Sequence, residues 1–150
     1  EVLLNYAEAA YELENKISDD DLNKSVNLVR QRSNPNMVKL SNALVTNNGL
    51  SMRDEIRRER TVELVFEGYR IDDLKRWATA STEMPQDLLG VKWKGTEFES
   101  LWAKQSRQVN AEGCIILYSN RTWNDKNYLY PLPSEQLQLN PNLGQNPGWE

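Results

Sequence analysis

The chain has no histidine. That removes His-based triads, histidine general bases and most zinc and copper sites. Its one cysteine, Cys114, is too few for an internal disulfide, a Cys-x-x-Cys redox pair or a cysteine metal cluster. Flanked by Ile115 and Ile116, that thiol reads as buried and inert. Apolar residues are sparse, 39% against the ~45–50% of an average domain. No apolar run reaches the ~20 residues of a membrane-spanning helix, and no basic-then-apolar leader opens the sequence. Neither sign of charge prevails. Eighteen Lys and Arg stand against 22 Asp and Glu, a net charge of −4, so the basic face of a general nucleic-acid binder is missing. What is present is a set of 5 Trp, 6 Tyr and 2 Phe in 150 residues, enough for the core of about one domain.

Val2, Leu3, Tyr6, Ala7, Ala10, Tyr11 and Leu13 recur at three- and four-residue steps, predicting a helix from the first residue to about Asn15. No capping residue precedes it, so the chain reads as a piece of a longer one. Ala7, Ala9 and Ala10 would let a neighbouring helix approach closely, as in αα-hairpin repeats. Ser18 or Asp19 caps a second helix with acids in its first turn and Leu22, Val26 and Val29 as its apolar stripe. Ser33-Asn-Pro35-Asn stops it, and residues 36–50 read as a long connection. Ser51, with Asp54 three residues on, caps a third helix.

That third segment is the most distinctive. From Arg53 to Arg76 seven bases balance seven acids. At about 100° per residue, Glu59 and Glu63 fall between Ile56 and Phe66, while Val62, Val65 and Tyr69 cover an adjoining sector. A helix apolar on several sides is surrounded by protein. Its carboxylates must then be paired, and Arg60, Arg70 and Arg76 are the nearest cations. Glu59, Arg60, Glu63, Glu67, Arg70, Asp73 and Arg76 are therefore expected to form a structural ion-pair network. Gly68 marks a break, after which residues 72–77 make another turn or two of helix.

Two carboxylates one turn apart could also serve glycoside hydrolysis. The arginines within a turn argue against it, because they should hold Glu59 and Glu63 ionised rather than raise a pKa for acid duty. Beyond residue 80 the texture changes. Residues 81–95 read as loop and 96–104 as a short helix. Residues 114–118 and 128–130 are extended runs that could pair as a small hairpin. Residues 138–150 are too rich in Asn, Pro and Gly for a helix and read as an extended tail whose Leu143 and Trp149 need a surface. Eight of the thirteen aromatics lie in the last sixty residues. Loop tryptophans beside Asn, Lys and Arg suit sugar rings, since an indole stacks on a pyranose face while amides and cations meet the hydroxyls. Trp93, between Lys92 and Lys94, and Trp123, beside Asn124 and Asp125, are the candidate ligand contacts. No catalytic residue, metal ligand or cofactor site is assigned.

The string Ile56-Arg-Arg-Glu-Arg-Thr-Val-Glu-Leu-Val-Phe-Glu-Gly-Tyr-Arg-Ile-Asp-Asp-Leu-Lys-Arg-Trp77 resembles the most characteristic block of the SusD/RagB family. Tyr128-Leu-Tyr-Pro-Leu-Pro-x-x-Gln136 with Asn140-Pro-Asn-Leu-Gly-Gln-Asn-Pro-Gly-Trp149 resembles that family's C-terminal ending. Glu1-Val-Leu-Leu-Asn-Tyr-Ala-Glu-Ala and Val26-Asn-Leu-Val-Arg-Gln-Arg32 are similar to its late tetratricopeptide-like helices. The resemblance implies a mainly α fold of tetratricopeptide-like hairpins, a scaffold over about 1–80 and a loop-rich part over about 81–150. It implies a non-catalytic cell-surface lipoprotein of the outer membrane that binds glycans or other nutrients and works with a SusC-like TonB-dependent transporter. The lipid anchor would lie upstream of residue 1, and this chain would be the C-terminal third or less. An interaction scaffold without ligand contact is the alternative; a carboxylate glycosidase ranks below both.

Overall fold

The computed structural model describes residues 1–101, 107–140 and 142–150. They fall into two compact units, Glu1–Arg70 and Ile71–Glu150.

The first unit is helical. α1 (Val2–Glu14) ends where expected, with Asn15 in the left-handed region that closes a helix. The second helix is capped by Ser18, whose Oγ accepts from the Asp21 amide at 3.0 Å. It is not continuous. The Ser25 hydroxyl donates to the Asp21 carbonyl at 2.5 Å, and this competing bond accompanies a break at Ser25 between α2 (Asp19–Lys24) and α3 (Val26–Arg30). The expected connection over 36–50 contains a helix, α4 (Asn42–Asn47), capped by Ser41. Six residues are too few to show a helical period in sequence. α5 (Met52–Glu63) begins at Ser51 as expected.

α1 packs on α2, α3 and α5, and α3 packs on α5. Their shared core holds Leu4, Ala7, Ile17, Leu22, Val26, Leu40, Val45, Met52, Ile56 and Leu64. Ala7 is fully buried, so a small residue does sit where α1 meets its neighbours. On α5, Met52, Ile56 and Arg60 recur at four-residue steps and all are buried.

The helix ends at Glu63, well short of Phe66. Phe66 takes a left-handed φ of 66° and is fully exposed; Val62 and Val65 are exposed too. The expectation that this segment is enclosed on several sides is therefore corrected. The chain leaves the helical path at Leu64, so the later apolar residues do not continue its buried stripe.

The second unit contains α6 from Ile71 onward (Arg70–Arg76), α7 (Ala80–Glu83) and α8 (Phe98–Leu101). It closes with α9 (Ser134–Leu139). Residues 102–104 of the helix expected over 96–104 lie outside the described residues. β2 (Cys114–Tyr118) occupies the expected extended run, with Cys114 half-buried. Its partner is not 128–130. β1 (Leu88–Lys92) pairs with it antiparallel, Leu88 opposite Tyr118 and Lys92 opposite Cys114, with two irregularities in register. Tyr128 instead ends a 3-10 turn, Asp125–Tyr128. On its other edge β2 meets residues 108–110, with Val109 opposite Ile115. Among the described residues of this unit few side chains are buried; Leu74, Ala80 and Ile115 are the apolar ones.

Candidate functional site

The charge-balanced helix places its carboxylates against a neighbouring helix. Glu59 Oε2 lies 3.3 Å from Arg30 Nε, and Glu63 Oε1 lies 2.9 Å from Arg32 Nη2. These partners are the last residue of α3 and a residue of the turn after it, not Arg60, Arg70 or Arg76. The reason is angular. Positions 59 and 63 flank the buried 52–56–60 stripe and point toward α3. Arg60 takes the buried position, 4% exposed, and its Nη1 donates to Asn5 Oδ1 at 2.7 Å with its guanidinium over the Tyr69 ring. Arg70 Nη1 donates to Thr61 Oγ1 at 2.9 Å, and Asp73 accepts from Arg76 Nε at 2.9 Å. Glu67 is exposed.

Burial pushes the Glu59 carboxyl above its ordinary range, outweighing Arg30 and Arg58, with Glu63 and Glu55 pushing the same way. The arginines were expected to keep this pKa from rising; at Glu59 burial outweighs them. The Arg30 side chain is 6% exposed, and its Nη1 has no hydrogen-bond partner among the described residues, so the pair is imperfectly satisfied. By contrast, hydrogen bonds from Arg58 hold Glu55 below its ordinary value. Three charge contacts escaped the sequence reading. Arg53 grips Glu12 with two bonds of 2.8 Å, and Arg30 and Arg32 reach α5. Nothing in the local pattern of Glu12 marks it, because its partner lies 41 residues away.

The two candidate tryptophans are held by protein. Trp93 Nε1 donates to the Phe98 carbonyl at 3.2 Å. Trp123 lies edge-on to Tyr128, ring centroids 5.1 Å apart, with its indole N–H buried. The residues on either side of Trp93 behave differently. Lys92 and Lys94 line an open groove of about 480 Å³ with Gly95, Val109, Asn110 and Glu112. The sequence marked the Lys-Trp-Lys run but gave no reason to join it to 109–113.

Gly113 makes that junction. Its carbonyl accepts from the amides of both Trp93 and Lys94, at 2.9 and 3.0 Å. A side chain there would come within 2.8 Å of the Lys94 carbonyl, and φ is +84°, so only glycine allows the two turns this close. Asn110 tightens the second turn, its Oδ1 accepting from the amides of Glu112 and Cys114 at 3.1 and 2.9 Å. The tail rests as expected. Trp149 Nε1 donates to the carbonyls of Lys126 and Leu129, both at 3.0 Å, and the Lys126 ammonium sits 4.3 Å from the ring centre.

The first unit is thus a helical bundle, and the second is loop-rich with turns held by Gly113, Asn110 and Trp149. The chain belongs to the SusD family, matching its sequence profile over residues 1–149. It is similar to a solved SusD-like carbohydrate binding protein from Bacteroides fragilis, with 26% identity and a TM-score of 0.70 over 95% of this chain and 27% of that one. A second SusD-like protein from the same species matches at 27% identity and a TM-score of 0.65, over 99% of this chain and 24% of the other. The chain thus spans about a quarter of these relatives' length. No curated protein matches it. The mainly α, SusD-like fold implied by the sequence motifs is the fold observed.

Proposed function

We propose that this chain forms part of a non-catalytic glycan- or nutrient-binding protein at the outer cell surface, working with a SusC-like TonB-dependent transporter in polysaccharide uptake. The observation that carries this reading is the family match across the whole chain, joined to a fold shared with a protein named as carbohydrate binding. The charge pattern supports it. Glu59 and Glu63 each face a guanidinium within 3.3 Å, an arrangement that ties α5 to Arg30 and Arg32 and suits a structural role for both carboxylates. A lipid anchor upstream would hold the protein at the membrane; among the described residues, no helix is long and apolar enough to cross one.

Calorimetric titration with a panel of soluble oligosaccharides tests the reading. Saturable heat with at least one of them, without release of reducing ends, is the expected result. Hydrolysis abolished by Glu59→Gln or Glu63→Gln would return the glycosidase reading instead. A second reading, an interaction scaffold with no ligand contact in this segment, is favoured by the exposed Val62, Val65 and Phe66 and by the internal bonds of Trp93. Glycan binding left intact by Trp93→Ala and Trp123→Ala supports that one.

A further inference from the structure

The groove beside Trp93 offers donors that no described residue uses. Lys92 closes β1, Lys94 sits in the following turn, and both line the groove. Neither ammonium has an ion-pair partner among the described residues. Asn110 commits its carbonyl oxygen to two backbone amides. Asn110 also lines the groove, and its Nδ2 makes no hydrogen bond among the described residues. Among the described lining residues Glu112 is the one carboxylate. The backbone under both lysines is held, through the Trp93 and Lys94 amides on the Gly113 carbonyl. Two like charges thus share one concave surface of a chain whose net charge is −4, against Glu112 in the lining and Glu99, which accepts from the Gly95 amide at 2.6 Å.

The geometry points to an acidic sugar as the occupant: a ring bearing a uronate carboxylate or a sulfate ester, its anion accepting from Lys92, Lys94 and Asn110. Glu112 accepts from a hydroxyl of the same or the next ring. This rests on the glycan-binding reading and narrows it to a ligand class. Charge-assisted bonds to a carboxylate or sulfate are the strong ones available to an ammonium. A neutral glycan would offer only hydroxyls and leave the lysine pair unneutralised. A groove of this volume lies within the range that holds one or a few small rings.

The test titrates the chain with oligogalacturonates, with chondroitin sulfate oligosaccharides and with neutral dextran and laminarin oligomers. It is run at about 0.05 and about 0.5 M NaCl, between which exposed charge pairs become largely screened. Expected are binding of at least one acidic series in preference to the neutral ones, and weakening at high salt. The Lys92→Gln/Lys94→Gln variant should lose affinity by about tenfold or more, whereas Lys39→Gln, in the other unit, should not. Which acidic series binds separates carboxylate from sulfate. Neutral glycans bound equally well, or an equal loss in Lys39→Gln, overturns the acidic-sugar inference and leaves glycan binding standing. Binding of no carbohydrate overturns both.

Discussion

The side-chain amide of Asn27 and the backbone of Leu40 exchange two hydrogen bonds, Nδ2 to the carbonyl at 2.9 Å and Oδ1 from the amide at 2.7 Å. The amide thus pairs as a neighbouring strand would. It ties the connection after α3 to the helical core, with both residues buried. The second unit repeats the device. Gln145 accepts from the Leu132 amide at 2.7 Å and donates to its carbonyl at 3.0 Å, anchoring the tail. Where a long loop must be fixed without a sheet, a planar amide satisfies both backbone groups of one residue.

Replacing Asn27 by Ala strands two buried backbone groups. At about 1–3 kcal/mol for each unsatisfied group, the loss is expected to be on the order of 2–6 kcal/mol in urea unfolding. Asn27→Asp keeps the acceptor and loses the donor, so it should fall between. A cost under about 0.5 kcal/mol for Asn27→Ala would show that Leu40 is held by other means.

The Arg30–Glu59 pair gives a different signature. Glu59→Ala leaves a buried guanidinium without its charge partner and is expected to cost about 3–5 kcal/mol. The double change Arg30→Met with Glu59→Leu should recover most of that, since a buried pair is often replaceable by apolar packing. A double-mutant cycle by chemical denaturation measures the coupling.

The raised pKa of Glu59 fixes a sign for pH dependence. A carboxyl that holds its proton more tightly folded than unfolded contributes stability that is fully present below its unfolded pKa. That contribution is lost as pH rises through the higher folded pKa. Glu59→Gln removes the titration. Its stability relative to the parent chain should therefore improve from acidic to neutral pH, over the window starting at the ordinary Glu value. A relative stability that worsens over that range would mean that Arg30, not burial, governs the group.

Gly113→Ala tests the junction of the groove. The left-handed backbone alone costs about 1–2 kcal/mol for a residue with a side chain, and the approach to the Lys94 carbonyl adds to it. Gly95→Ala shares a φ of +79° but meets nothing within 4 Å, so its cost should be the strain alone. Thermal unfolding of the two variants separates clash from strain; equal shifts would remove the close approach as a constraint.

Trp149→Ala should release the tail. Hydrogen exchange at residues 143–150 is expected to accelerate while the α1–α5 core is unaffected, because the indole's two carbonyl partners, Lys126 and Leu129, both lie in the second unit.

Local chemistry wrote much of this chain into its sequence. Ser18 and Ser51 cap helices because a short hydroxyl reaches the amide three residues on, and Asn15 and Gly68 turn the chain because they tolerate positive φ. β2 was legible as Cys114-Ile-Ile-Leu-Tyr118, and the family motifs pointed to the fold. Partners were not legible. Leu88-Leu-Gly-Val-Lys92 alternates too weakly to announce a strand, and its pairing with β2 depends on contacts between distant positions, from Lys92 with Cys114 to Leu88 with Tyr118. Helical spacing put Glu59 and Glu63 beside each other, but only the packing of α3 on α5 brought Arg30 and Arg32 to them. The same holds for the groove. The sequence shows two lysines around a tryptophan; the close approach at Gly113 turns them into one surface. Short-range hydrogen bonding and periodicity act within a few residues, so sequence determined the elements. Charge pairing, desolvation and concavity arise between distant residues, so tertiary structure alone decided the site.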